Sequence, residues 1–246
     1  MSAVRKTYRF PNAVEVYEYH KAAYGGPGKK REKREKPTRE ELARYNQILR
    51  ERKCRWKLRN NFNVHDYFTT LTFRKEERPA DMSDAKKIFA QFIRRLKAAY
   101  KKRGHVLKWI RNIEVGSKGG WHIHLVLNRI PDLDILLADL WTVGFAKTVL
   151  LYQKGEFEDL AAYLTKTPET DKRLREADHS TSRNLPVPDP EVKEFTRRRI
   201  WEREPKIPKA LQRAGFYLDK GSFTEGVNPI TGYLWRQYNY LRTRRD

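Results

Sequence analysis

The chain has 246 residues, with 53 Lys plus Arg against 31 Asp plus Glu, a formal net charge of +22. A field of that sign attracts polyanions and releases counterions from nucleic acid, so nucleic acid leads the list of expected partners. No apolar run approaches the roughly 20 residues of a spanning helix, the opening MSAVRKTYRF carries no apolar leader core, and the lone cysteine, Cys54, excludes an intrachain disulfide and a cysteine-built zinc finger and fits a reducing cytoplasm.

Residues 1–24 are aromatic and mixed, with no clear period. GGPGKKREKREKP, 25–37, is a Gly/Pro and charge run that reads as a linker or basic arm. PTREELARYNQILRERKCRW reads as a basic amphipathic helix. Thr38 and Glu41 form a capping-box pair, and Leu42, Tyr45, Leu49 and Trp56 share one stripe. DYFTTLTFR, 66–74, is rich in Thr and aromatics and predicts a strand. In SDAKKIFAQFIRRLKAAYKKRG, Ala85, Ile88, Phe89, Phe92, Leu96 and Ala99 recur at helical period; Ser83 is the expected cap and Gly104 the expected stop. VLKWIRNIEV, 106–115, predicts a second strand, GSKGG a turn, and WHIHLVLN a third strand. PDLDILLADLW predicts a short helix capped near Asp132, GFAKTVLLY, 144–152, a fourth strand, and EFEDLAAYLTK, 156–166, another helix.

This order, β-α-β-β-α-β and then a helix, predicts an α+β fold: a ferredoxin-like, split-βαβ antiparallel sheet with helices on one face. A basic N-terminal helix precedes it and a C-terminal β-containing extension follows. The expected partition is an N-terminal segment and basic linker over 1–37, the core domain with its preceding helix over 38–168, and a basic, aromatic extension over 169–246. The sheet itself should occupy about 60–168.

Side chains alternate along a strand. His122 and His124 therefore share a face with Val126, while Ile123, Leu125 and Leu127 point to the other, apolar side, where the helices should lie. If GSKGG closes a hairpin, Glu114 lies across from His122 and Asn112 across from His124; a one-residue slip would turn Glu114 away. Two imidazoles and a carboxylate suit a divalent ion, with Mg²⁺ or Mn²⁺ as reasonable as Zn²⁺ when no cysteine ligand is at hand. On the last core helix, Asp159, Tyr163 and Lys166 stand at i, i+4 and i+7. A phenol of pKa near 10 becomes a nucleophile toward a phosphate when a metal polarises that phosphate and a cation such as Lys166 stabilises developing charge. Arg74, Lys108, Arg111 and Lys118 lie on or beside the same strands and are the expected nucleic-acid contacts.

These residues resemble those of the HUH endonucleases, and within them the single-tyrosine initiators of rolling-circle replication of phages and plasmids. FTTLTF, 68–73, is similar to the first motif, His122-Ile-His124 to the metal motif, and Tyr163-Leu-Thr-Lys166 to the nucleophile motif. Glu114 matches the position of a third ligand. The resemblance implies a metal-dependent single-strand DNA endonuclease, or nickase, and strand transferase. Tyr163 would attack a phosphodiester of a single-stranded or hairpin origin, leaving a 5′-phosphotyrosine and a free 3′-OH for a polymerase to extend. No phosphate-binding loop of the G-x-x-x-x-G-K-[ST] type is present, which implies a recruited host helicase. Termination would use a second protomer, water, or another tyrosine such as Tyr152, which the strand pattern otherwise expects to be buried. A relaxase or transposase with the same chemistry is the sister reading; a non-catalytic nucleic-acid-binding sheet domain is the reading from another class.

Overall fold

The computed structural model describes residues 3–20, 36–152, 156–195, 204–232 and 234–243. The charged run at 25–35 lies outside these described residues. The elements follow in the order β1 (Ala3–Arg9), β2 (Ala13–His20), α1 (Arg39–Asn61), β3 (Tyr67–Phe73), α2 (Met82–Lys102), β4 (Trp109–Gly116), β5 (Trp121–Leu127), α3 (Leu133–Leu140), β6 (Gly144–Leu150), α4 (Glu158–Thr165), β7 (Leu174–Thr181), β8 (Glu191–Phe195), α5 (Lys209–Arg213), β9 (Phe216–Val227) and β10 (Leu234–Arg242). They form an α+β structure of two units. One, the core unit, takes residues 61–153 and 157–186; the other, the terminal unit, takes 1–60, 154–156 and 187–246.

The core sheet has the order β6-β3-β5-β4-β7, and every neighbouring pair is antiparallel. Its first four strands have the split-βαβ arrangement expected from the element order. The reason is visible strand by strand. β3 alternates buried and half-buried side chains, and Ile113, Val115, Ile123, Leu125 and Leu127 turn toward Phe89, Phe92 and Leu96 of α2 and Leu133 and Leu137 of α3. α2 starts two residues earlier than a Ser83 cap would place it, because the cap is Asp81, whose carboxylate accepts the Asp84 N–H at 2.8 Å. It ends at Lys102, and Gly104 then takes a positive φ of 74° that a side chain would resist. At Gly144 a Cβ would fall 1.7 Å from the Thr72 carbonyl oxygen, so only glycine lets β6 begin this close to β3.

Two expectations are corrected here. Leu174–Thr181 is the fifth strand of the core sheet, paired with β4 from Ile110 to Gly116, and not part of a C-terminal extension. Tyr152 lies two residues beyond β6 and is 69% exposed, not buried in a strand.

The terminal unit is a second antiparallel sheet, in the order β8-β1-β2-β10-β9. Segments from before residue 37 and after residue 187 therefore make one sheet. β2 alternates to match. Val14 and Val16 meet Tyr238, Tyr240 and Phe216 on one face, while Glu15 turns to the face carrying α1. That helix begins at the expected capping box: the Glu41 side chain accepts the Thr38 N–H at 2.8 Å, and the Thr38 hydroxyl accepts the Glu41 N–H at 3.1 Å. Its inner side is charged, with Arg55 and Arg59 bound to the fully buried Glu15 at 3.0 and 2.7 Å. Burial alone would raise the Glu15 carboxyl, but the two guanidiniums outweigh it and hold the group below the ordinary carboxylate range.

Candidate metal and tyrosine site

The site lies on the face of the core sheet opposite α2 and α3. The GSKGG turn closes β4 and β5 with Glu114 opposite His122 and Asn112 opposite His124. β3 lies on the other side of β5, with Thr72 opposite His122 and Thr70 opposite His124. α4 brings Tyr163 over this surface, anchored by the buried side chains of Phe157, Ala161 and Leu164.

The polar atoms converge tightly. The His124 Nε2 lies 2.7 Å from Glu114 Oε1 and 2.9 Å from the Tyr163 hydroxyl. Its Nδ1 lies 3.3 Å from the Thr70 hydroxyl. His122 Nδ1 is 4.0 Å from the same Glu114 oxygen, and Lys166 Nζ is 2.7 Å from the other. One donor atom from each of Glu114, His122 and His124 falls within 4.8 Å of the others. A cation with bonds of about 2.0–2.2 Å to nitrogen and oxygen would draw the more distant His122 nitrogen inward and part the closest pair slightly. The donor chemistry fits as well: imidazole nitrogens and a carboxylate oxygen suit a divalent ion, which would take the place of the proton now shared between His124 Nε2 and Glu114.

The electrostatics follow from this packing. Burial would raise Glu114, but His124 and Lys166 together pull it below the ordinary carboxylate range. Burial, reinforced by His124, lowers His122. Burial first, and the Glu114 charge second, push the Tyr163 phenol up to about 12. Arg173 is the cation that opposes this rise, while the Lys166 ammonium lies 4.0 Å from the Tyr163 ring centroid. Lys166 sits one residue beyond the helix, so its side chain turns back under the tyrosine. Asp159, expected on the same helix face, is exposed and has no contact with the cluster among those described.

Of the basic residues expected to meet nucleic acid, Lys118 is exposed in the turn between Glu114 and His122, and Arg74 is exposed just past β3, its guanidinium 6.0 Å from the Phe145 ring. Lys108 precedes β4 and reaches Asn61 at 3.3 Å. Arg111 departs from the expectation. Alternation turns it to the helix-covered face, where it is buried, bound to Asp178 at 2.6 Å and packed on Phe89. A strand lying across the open face would not meet it.

Three neighbours were not singled out in the sequence. Thr70 contacts His124, and Phe68 stacks parallel to the His124 ring, with centroids 5.9 Å apart, and meets Tyr163 edge-on. Their alternation with Thr72 in FTTLTF was the available signal. The third is His179 on β7, whose Nδ1 lies 2.9 Å from the Leu164 carbonyl oxygen, next to Tyr163. No local pattern pairs those two segments.

Compared with known families, residues 66–168 match the family of the replication-associated protein ORF2. That stretch runs from the start of β3 to just past α4 and contains Glu114, His122, His124, Tyr163 and Lys166. The likeness supports a part in the initiation of DNA replication, and with it DNA binding. No curated protein and no solved structure matches the chain significantly.

Proposed function

We propose that the chain is a DNA nickase and strand transferase of the HUH type, initiating rolling-circle replication by cutting one strand at a single-stranded or hairpin origin. The observation that carries this reading is the placing of a tyrosine hydroxyl 2.9 Å from a histidine of a two-histidine, one-carboxylate cluster. A phenol held up at about 12 is protonated and inert at neutral pH. It needs a polarised phosphate and a nearby cation to react.

Glu114, His122 and His124 would hold a divalent ion, Mg²⁺ or Mn²⁺, which when bound draws charge from a phosphate oxygen. The chain's own residues do the rest. Tyr163 supplies the oxygen that forms the new bond to phosphorus. The bond from phosphorus to the 3′ oxygen breaks, and that oxygen leaves with the electron pair and takes up a proton. The phenol proton is lost to solvent. The products are a 5′-phosphotyrosine and a free 3′-OH, and the reverse reaction rejoins a strand. Lys166 stabilises the developing phenolate from beside the ring, and Phe68 and Thr70 hold the His124 ring in register. Arg74 and Lys118, at the end of the sheet near His122, contact the phosphate backbone. Lys108 is a further backbone contact. A host helicase and polymerase would act on the opened strand.

The test is a cleavage assay on random and hairpin-bearing single-stranded DNA, with Mn²⁺ or EDTA, resolved on denaturing gels. A metal-dependent, SDS-resistant protein–DNA adduct that disappears in Tyr163→Phe is the expected result. Binding that ignores metal, with no adduct on any origin-containing substrate, would instead make the chain a non-catalytic nucleic-acid-binding protein.

A further inference from the structure

The terminal unit carries a second concentration of aromatic and cationic groups. Tyr17 and Tyr19 project from β2 on the face that holds α1, and Trp235, paired with Tyr19 in the sheet, projects beside them from β10. The ring centroids of Tyr17 lie 5.6 Å from Tyr19 and 5.9 Å from Trp235. These three rings are half-buried and form one wall of a cavity of about 250 Å³. Tyr45 of α1 closes it, fixed by Asn228, whose side-chain N–H donates to the Tyr45 hydroxyl at 3.0 Å. Lys6 of β1 stands at the rim with its ammonium 5.8 Å from the Tyr19 ring, and the Arg52 guanidinium stacks on Tyr17 at 4.6 Å.

Tyrosine and tryptophan rings left half-open beside cations are what unpaired bases need: a flat face for stacking, with positive charge for the phosphates that follow. An apolar small molecule would not call for Lys6 and Arg52, and a simple phosphate would not call for three rings. The +22 charge of the chain points to the same polyanion.

We propose that this pocket of the terminal unit binds an unpaired base of single-stranded DNA, as a second holding point remote in sequence from the tyrosine motif. Tyr19 and Trp235 stack the base, and Lys6 neutralises an adjacent phosphate. The proposal rests on the strand-cleavage reading only in taking DNA as the partner; it makes no use of Tyr163 chemistry.

The experiment uses the full chain carrying Tyr163→Phe, without metal, so that binding is read apart from cleavage. Oligothymidylate substituted with 5-iododeoxyuridine is crosslinked by light, and the modified peptides are mapped by mass spectrometry. Crosslinks on peptides bearing Tyr19 or Trp235 are expected. The added pair Tyr19→Leu and Trp235→Leu should weaken oligothymidylate binding roughly tenfold or more, the loss of one stacked base, with far-UV circular dichroism unchanged. Crosslinks confined to residues 66–168, or affinity within twofold in the folded variant, would overturn the proposal. A strong preference of the pocket peptides for oligouridylate would overturn the assignment to DNA. If the double variant does not fold, the crosslink map on the Tyr163→Phe chain decides alone. Pocket crosslinks together with no covalent adduct in the cleavage assay would retain this site and remove the nickase reading; an adduct without pocket crosslinks would do the reverse.

Discussion

Tyr163 is held in a state that resists ionisation, and Lys166 is the one cation in van der Waals reach of its ring among the described residues. Replacing Lys166 with alanine should therefore lower the cleavage rate roughly 10²-fold, the usual loss when a group aimed at developing charge is removed. Affinity for uncleaved DNA should change by less than about threefold, because one phosphate contact at most is lost; single-turnover kinetics beside a binding titration separate the two. The proposed ligand residues make a prediction that needs no substrate. A divalent ion that binds only the folded chain raises stability by about 2.7 kcal/mol at a hundredfold excess over its dissociation constant. Mn²⁺ should thus raise the melting temperature of the native chain and not that of His122→Ala, His124→Ala, as differential scanning calorimetry would record. Equal shifts in both proteins would mean the ion binds elsewhere.

Among the elements, α1 carries the clearest energetic consequence. Its Arg55 and Arg59 share the carboxylate of Glu15 in the interior of the terminal unit. Glu15→Ala would take the shared carboxylate from two buried guanidiniums and should cost about 3–5 kcal/mol in chemical denaturation. The sign of the pH effect follows from the direction of the shift. A carboxyl held below its unfolded value of 4.5 contributes stability that is fully present above that value and lost as pH falls through the folded one. Unfolding curves between pH 6 and pH 3 should show an acid-side loss that Glu15→Gln reduces. The same helix explains part of what the sequence concealed. Arg55 and Arg59 resemble a solvated face when read alone, so the stripe of Leu42, Tyr45, Leu49 and Trp56 looked like the buried one; those four are only half-buried, while Cys54 and Leu58 are inside. β7 was hidden for a related reason: it is an edge strand, and Leu174 is its only buried side chain. By contrast, the β4–β5 hairpin was legible because a Gly-rich turn and strict alternation together fix the register, and register alone brings Glu114 to His122 and His124. Tyr163 and Lys166 were singled out by motif, but the hold of His179 on the carbonyl of Leu164 joins segments that no local pattern links.

For the whole molecule, charge sets the expectation. A chain with a net +22 that neutralises about 6–10 phosphates should lose roughly 10³- to 10⁵-fold in affinity between 50 and 200 mM salt. Fluorescence anisotropy with a labelled oligonucleotide would show this as a straight line of log affinity against log salt; a flat line would contradict the charge argument. No helix among the described residues is long and apolar enough to cross a membrane.

The threading of the chain has a consequence in time. The strands of the core sheet come from one continuous stretch broken only at 154–156, whereas the terminal sheet joins Glu18 to Arg236 across 218 residues. On a growing polypeptide, β1 and β2 emerge before the core strands and then wait, with the edge that β10 will cover left open, until β10 itself has been made. Pairing over such a separation is slow, and an open strand edge invites pairing with other chains. The core sheet can close before the terminal sheet does. A chain stopped short of β10 would carry an unmet edge on β2 and should aggregate during synthesis even with the Tyr163 region intact.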